Sequence, residues 1–67
     1  MTTQQASELK NTLEEMMNRI ATGEDITEQL LGINQLSIDI ESTAPKMLMH
    51  YLQRKSYTKA LDFLKDL

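Results

Sequence analysis

Residues 25–42 read DITEQLLGINQLSIDIES, and the spacing of the apolar residues in this stretch decides the fold. The spacing predicts a helix from the Asp25-x-x-Glu28 pair, which has capping-box geometry, to Glu41 or Ser42. At about 100° per residue, Ile26, Leu30, Ile33, Leu36 and Ile40 share one broad face, while Leu31 and Ile38 fall together on nearly the opposite side. A helix apolar on two sides calls for two neighbours, which makes this segment the expected buried centre of the assembly. Gly32 lies in its middle, where glycine costs roughly 1 kcal/mol relative to alanine, a cost usually offset by close approach of another backbone.

Upstream, Thr2 and Gln5 again have capping-box spacing and predict a helix from Thr2 or Thr3 to about Ala21, closed by Gly23. Ala6, Leu9, Leu13, Met16 and Ile20 alternate spacings of three and four along it, and Met17 widens the stripe. Downstream of Ser42-Thr43-Ala44-Pro45, a further helix carries Ala44, Met47, Leu48, Tyr51 and Leu52 on one face, with proline in the first turn. There the phase jumps. On a continuous helix Tyr57, Ala60, Leu61 and Leu64 would project about 180° from that stripe, so a turn is expected at Arg54 to Ser56, with Ser56 as N-cap of a last helix to about Asp66. One long helix serving two partners is the alternative, and it would suit an interlocked dimer.

Tyr51, Tyr57, Ala60, Leu61, Phe63 and Leu64 resemble the hairpin of a tetratricopeptide repeat, in which aromatic and small residues flank a tight turn. Lys55 replaces the turn glycine of that pattern, and Leu48 stands where a small residue belongs. The resemblance implies a tight antiparallel helical hairpin. It implies no concave peptide-binding surface, because a single unit cannot build one.

The expected architecture is therefore all-α, a single domain over residues 1–67, forming a small helical bundle of three to four helices. A chain of 67 residues buries only about 60 % of the surface its unfolded form exposes, and without cysteine it has no disulfide to support it. Dimerisation is the expected supplement. The charges are segregated to match: residues 1–43 carry eight acidic and two basic side chains, whereas residues 44–67 carry Lys46, Arg54, Lys55, Lys59 and Lys65 against Asp62 and Asp66. The boundary falls at the only proline, Pro45, and opposite charge favours packing of the basic segment on the acidic helical pair. No signal peptide or membrane-crossing run is expected, and a cytoplasmic location agrees with the lack of cysteine.

No catalytic, cofactor-binding or metal-binding residue is assigned, and the chain is not expected to be an enzyme. His50 is the only side chain suited by its ordinary pKa to acid–base work near neutrality, yet no Ser, Cys or carboxylate shares its helix face. Glu14 and Glu15 diverge by about 100°, and Asp25 with Glu28 has a capping explanation, so neither pair suggests a metal site. Lys46, His50 and Arg54 form a row that could track phosphates, with Lys55 and Lys59 nearby, but no aromatic interleaves it for base stacking. Nucleic acid and membrane are accordingly not the expected partners.

Association is the expected role. Met16, Met17 and Met47 read mainly as adaptable core filling, whereas Met49 projects away from the stripe of its own helix. Leu31, Ile38 and Met49 are thus the expected partner or dimer interface of a small non-catalytic interaction or regulatory module that docks helix on helix. A small nucleic-acid-associated regulator using the basic C-terminal half is the alternative.

Overall fold

Thr2 starts the first helix as its spacing predicts. In the computed structural model, which describes residues 1–67, the Thr2 hydroxyl accepts from the Gln5 N–H at 3.0 Å and the Gln5 side-chain oxygen accepts from the Thr2 N–H at 2.9 Å. Helix α1 (Thr3–Thr22) grows from this box, with Met1 and Ala6 partly buried beside it in the positions of a hydrophobic staple. It ends where Gly23 turns left-handed, at a φ of 76°, so that the Glu24 N–H reaches the Arg19 carbonyl and the Gly23 N–H reaches that of Ile20. These two bonds form a Schellman motif.

Helix α2 (Thr27–Ile40) begins differently from its capping-box expectation. The Asp25 carboxylate accepts from the Thr27 N–H at 3.1 Å and from the Thr27 hydroxyl at 2.7 Å, and no bond from Glu28 closes the box. The donor that Asp25 satisfies is thus the first N–H of the helix, two residues short of the N3 position that a box requires.

Helix α3 (Lys46–Gln53) follows Pro45, which sits just ahead of it in extended geometry and offers its carbonyl to the Met49 N–H at 3.2 Å. The chain then breaks at Arg54 to Ser56, as the phase jump predicts, and resumes as α4 (Tyr57–Lys65). Ser56 occupies the N-cap place without capping through its side chain. The break is instead a second Schellman turn: Lys55 adopts a φ of 59°, its N–H bonds the Leu52 carbonyl at 3.1 Å, and the Ser56 N–H bonds that of Tyr51 at 2.8 Å. The long-helix alternative is excluded.

The four helices form a small all-α bundle of 33 × 22 × 22 Å, whose long axis matches the roughly 30 Å of a 20-residue helix such as α1. Helix α1 packs against both α2 and α4, and α3 packs against α4. The core collects Leu9, Leu13 and Met16 from α1, Ile33 and Ile40 from α2, Leu48 and Leu52 from α3, and Ala60, Leu61 and Leu64 from α4. Within the chain the central helix is therefore α1, not α2. Leu9, Leu13 and Met16 suffice for two neighbours because they sit in a stripe widened by half-buried Met17, whereas the second apolar side of α2 finds no covering element.

Two residues read as members of inward stripes are outside. Ile20 is half-exposed where α1 runs past the end of its contact with the bundle, and Met47 is half-exposed at the start of α3, where the chain has only just rejoined the core. Gly32 also differs from its expected close backbone approach. A β-carbon built there meets only the Thr12 side-chain methyl, at 3.6 Å, which is ordinary van der Waals contact.

Candidate docking surface

Leu31 and Ile38 stand two turns apart on the outer side of α2, 65 % and 67 % exposed, while Ile33 and Ile40 on the inner side are buried. The inner residues fix the rotation of the helix by packing on α1, and a period of 3.6 residues then leaves Leu31 and Ile38 no choice but to face water. Such large apolar side chains on one ridge are informative because their neighbours on the ridge are polar: Asn34 and Gln35 lie between them, and Gln35 donates to Asp39 at 3.0 Å.

Met49 lies beside this ridge, partly buried against the core. Ile38 and Met49 line one groove of about 340 Å³ together with Leu52 and Tyr57, and the polar Asn34, Ser37, Gln53 and Lys55 make up the other half of its lining. The groove exists because α2 leans on α1 and the α3–α4 hairpin leans on α1 through α4, which leaves the seam between α2 and the hairpin turn without extensive packing. Of the three residues singled out from sequence, two thus share one concavity, and Leu31 stands two turns along α2 on the same ridge, outside the groove and separated from it by Asn34 and Gln35. Leu52, Tyr57 and Lys55 were not singled out. Tyr57 had a signal, since the phase jump that moves its stripe also swings the start of α4 beside the end of α3, but the neighbouring position of α2 has no trace in local spacing.

The charges around this surface are not neutralised inside the chain. The only ion pair is Arg19 to Glu15 at 3.5 Å, one turn apart on α1. Lys46, Arg54, Lys55, Lys59 and Lys65 are all exposed and form no ion pair with the acidic segment, so the attraction expected between the two halves is not expressed as contacts within one chain. The physical reason is the packing order: α4 meets α1 through Ala60, Leu61 and Leu64, and its basic residues point away from that contact.

The candidate chemistry is sparse. His50 is exposed, its ring tilted 58° from that of Tyr51 at a centroid distance of 6.0 Å. No three His, Cys, Asp or Glu side chains converge as metal ligands would. The Asp25 carboxyl is held below the usual range, first by the hydrogen bond from the Thr27 hydroxyl and next by that from the Thr27 backbone N–H. This is a capping role. No helix is long and apolar enough to cross a membrane.

The chain matches no family model, no curated protein and no solved structure. Its functional reading rests on the surface just described.

Proposed function

We propose that this protein is a small non-catalytic interaction module, a homodimer that acts by docking helix on helix through the surface of Leu31, Ile38 and Met49. The observation that carries the reading is the pair Leu31 and Ile38, large apolar side chains about two-thirds exposed on the outer ridge of a helix whose other side is core. Covering such side chains contributes roughly 1.5–3 kcal/mol each on full burial, a substantial fraction of the stability of a domain this small. The reading is of a cytoplasmic protein, whose cysteine-free fold would be indifferent to a reducing compartment.

Thermal unfolding over a hundredfold range of protein concentration tests the proposal. The midpoint of a folded dimer rises with concentration, since association stabilises the native state by mass action. A midpoint independent of concentration opposes the reading. The exposed basic row supports the regulator alternative as the competing view, and DNA or RNA binding at about 150 mM salt that is lost when Lys46, Arg54 and Lys59 all become glutamine would replace the interaction module with it.

A further inference from the structure

The groove at the α2–hairpin seam and the ridge on α2 belong to the same face, and they are complementary in two respects. One is shape. The ridge presents Leu31 and Ile38 outward, and the groove of about 340 Å³, half of whose lining residues are the apolar Ile38, Met49, Leu52 and Tyr57, has room to receive a side chain. The other is charge. Helix α2 contains no lysine or arginine, and Glu28 and Asp39 flank its ridge; the groove ends at the turn that carries Arg54 and Lys55, neither of which has an ion-pair partner in the chain.

Resting on the homodimer reading above, we infer that the occupant of this groove is α2 of a second copy of the chain, with Leu31 of each protomer seated in the groove of the other and its acidic flanks set against the partner's Arg54–Lys55 turn. Both contacts form twice about a two-fold axis, as a self-complementary patch requires. A direct α2-on-α2 pairing is the competing dimer, and it loses on electrostatics. It would bring Glu28 and Asp39 of both copies together with no cation on either helix to separate them, whereas docking α2 on the turn pairs opposite charges. A standard interface takes roughly 800 Å² from each partner, nearly a fifth of the 4559 Å² that this chain exposes.

The absence of native cysteine makes the test clean. Gln35→Cys marks the ridge and Gln53→Cys marks the groove edge, and both positions are exposed, so neither substitution touches the core. Chains carrying one substitution each, distinguished by an isotope label, are mixed, oxidised and resolved by mass. The expected product is the mixed disulfide between position 35 of one chain and position 53 of the other, in excess over both symmetric disulfides. The same dimer should dissociate more readily as salt rises, because its charges attract across the interface. A predominant 35–35 disulfide, or a dimer that tightens with salt, would overturn this arrangement while leaving self-association standing. A dimer that forms no disulfide through either position places the interface elsewhere and also overturns it. A chain that stays monomeric removes the arrangement together with the reading on which it rests.

Discussion

Gly23 and Lys55 end their helices in the same way. Each adopts a positive φ, 76° and 59°, and each lies between two backbone hydrogen bonds that return to the closing turn of the helix before it. Only one of them is suited to the task. A side chain in the left-handed region costs about 1–2 kcal/mol, from which the greater flexibility of unfolded glycine subtracts part.

Lys55→Gly should therefore stabilise the fold by about 0.5–1 kcal/mol, read as a higher urea midpoint with unchanged slope under conditions where the chain is monomeric. Gly23→Ala is the counterpart. A β-carbon there meets nothing within 4 Å, so its expected loss of about 1 kcal/mol would be a pure backbone effect. An unchanged midpoint in both variants would contradict the left-handed cost from which both shifts are derived.

Gly32→Ala should have the opposite sign from Gly23→Ala. Gly32 is in the interior of α2 with a helical backbone, and the added methyl group would touch the Thr12 side chain at an ordinary 3.6 Å. The gain in helix propensity, about 0.5–1 kcal/mol, should appear nearly whole in chemical denaturation. Destabilisation would mean that α1 and α2 approach more closely than this.

Gln29 is the one buried polar residue, and its side-chain oxygen has no hydrogen-bond partner. An unpaired buried acceptor costs about 1–3 kcal/mol, so Gln29→Met, which keeps the length of the side chain, should stabilise the protein by about 1 kcal/mol or more. Loss of stability in this variant would show that the amide is satisfied after all.

Asp25 sets a pH dependence of known sign. Its folded-state pKa is lowered by the bonds from Thr27, so the stabilisation it provides is present above the unfolded carboxylate range, near pH 4, and is lost as pH falls through the folded value. Thr27→Val removes the hydroxyl donor at 2.7 Å and keeps the backbone one. The titration of Asp25, followed by carboxyl NMR shifts, should move up toward its ordinary value in that variant. No movement would assign the effect to the backbone bond alone.

These residues also mark how far the sequence could be read. The helices and the break at residues 54–56 were legible because they depend on local spacing: the Thr2–Gln5 box, the glycine at position 23 and the phase jump before Tyr57 each act within a turn or two. The means of that break was not. Local spacing does not mark Lys55 as left-handed, only the hairpin resemblance puts it where a turn glycine belongs, and Ser56 resembled a cap that the backbone turn makes unnecessary. The place of α2 within one chain was hidden for a related reason. Its two apolar sides were visible, but whether the second is covered depends on where α3 and α4 come to rest, which is settled by their packing on α1 and on each other. Leu31 and Ile38 could be identified as unmatched apolar surface, whereas the groove beside Ile38 could not, since Leu52 and Tyr57 reach it only through the hairpin.

Ile38 separates folding from association, and it offers the most direct test. Had α2 been covered on both sides within the chain, Ile38→Asp would unfold the protein; with Ile38 about two-thirds exposed, the variant should keep its helical content and melt as a cooperative unit. Light scattering at micromolar concentration should then give the parent chain twice its 7.7 kDa mass and Ile38→Asp the 7.7 kDa of a single chain. A parent chain that scatters as a 7.7 kDa monomer at every concentration, or an Ile38→Asp variant that remains a dimer, would contradict the account.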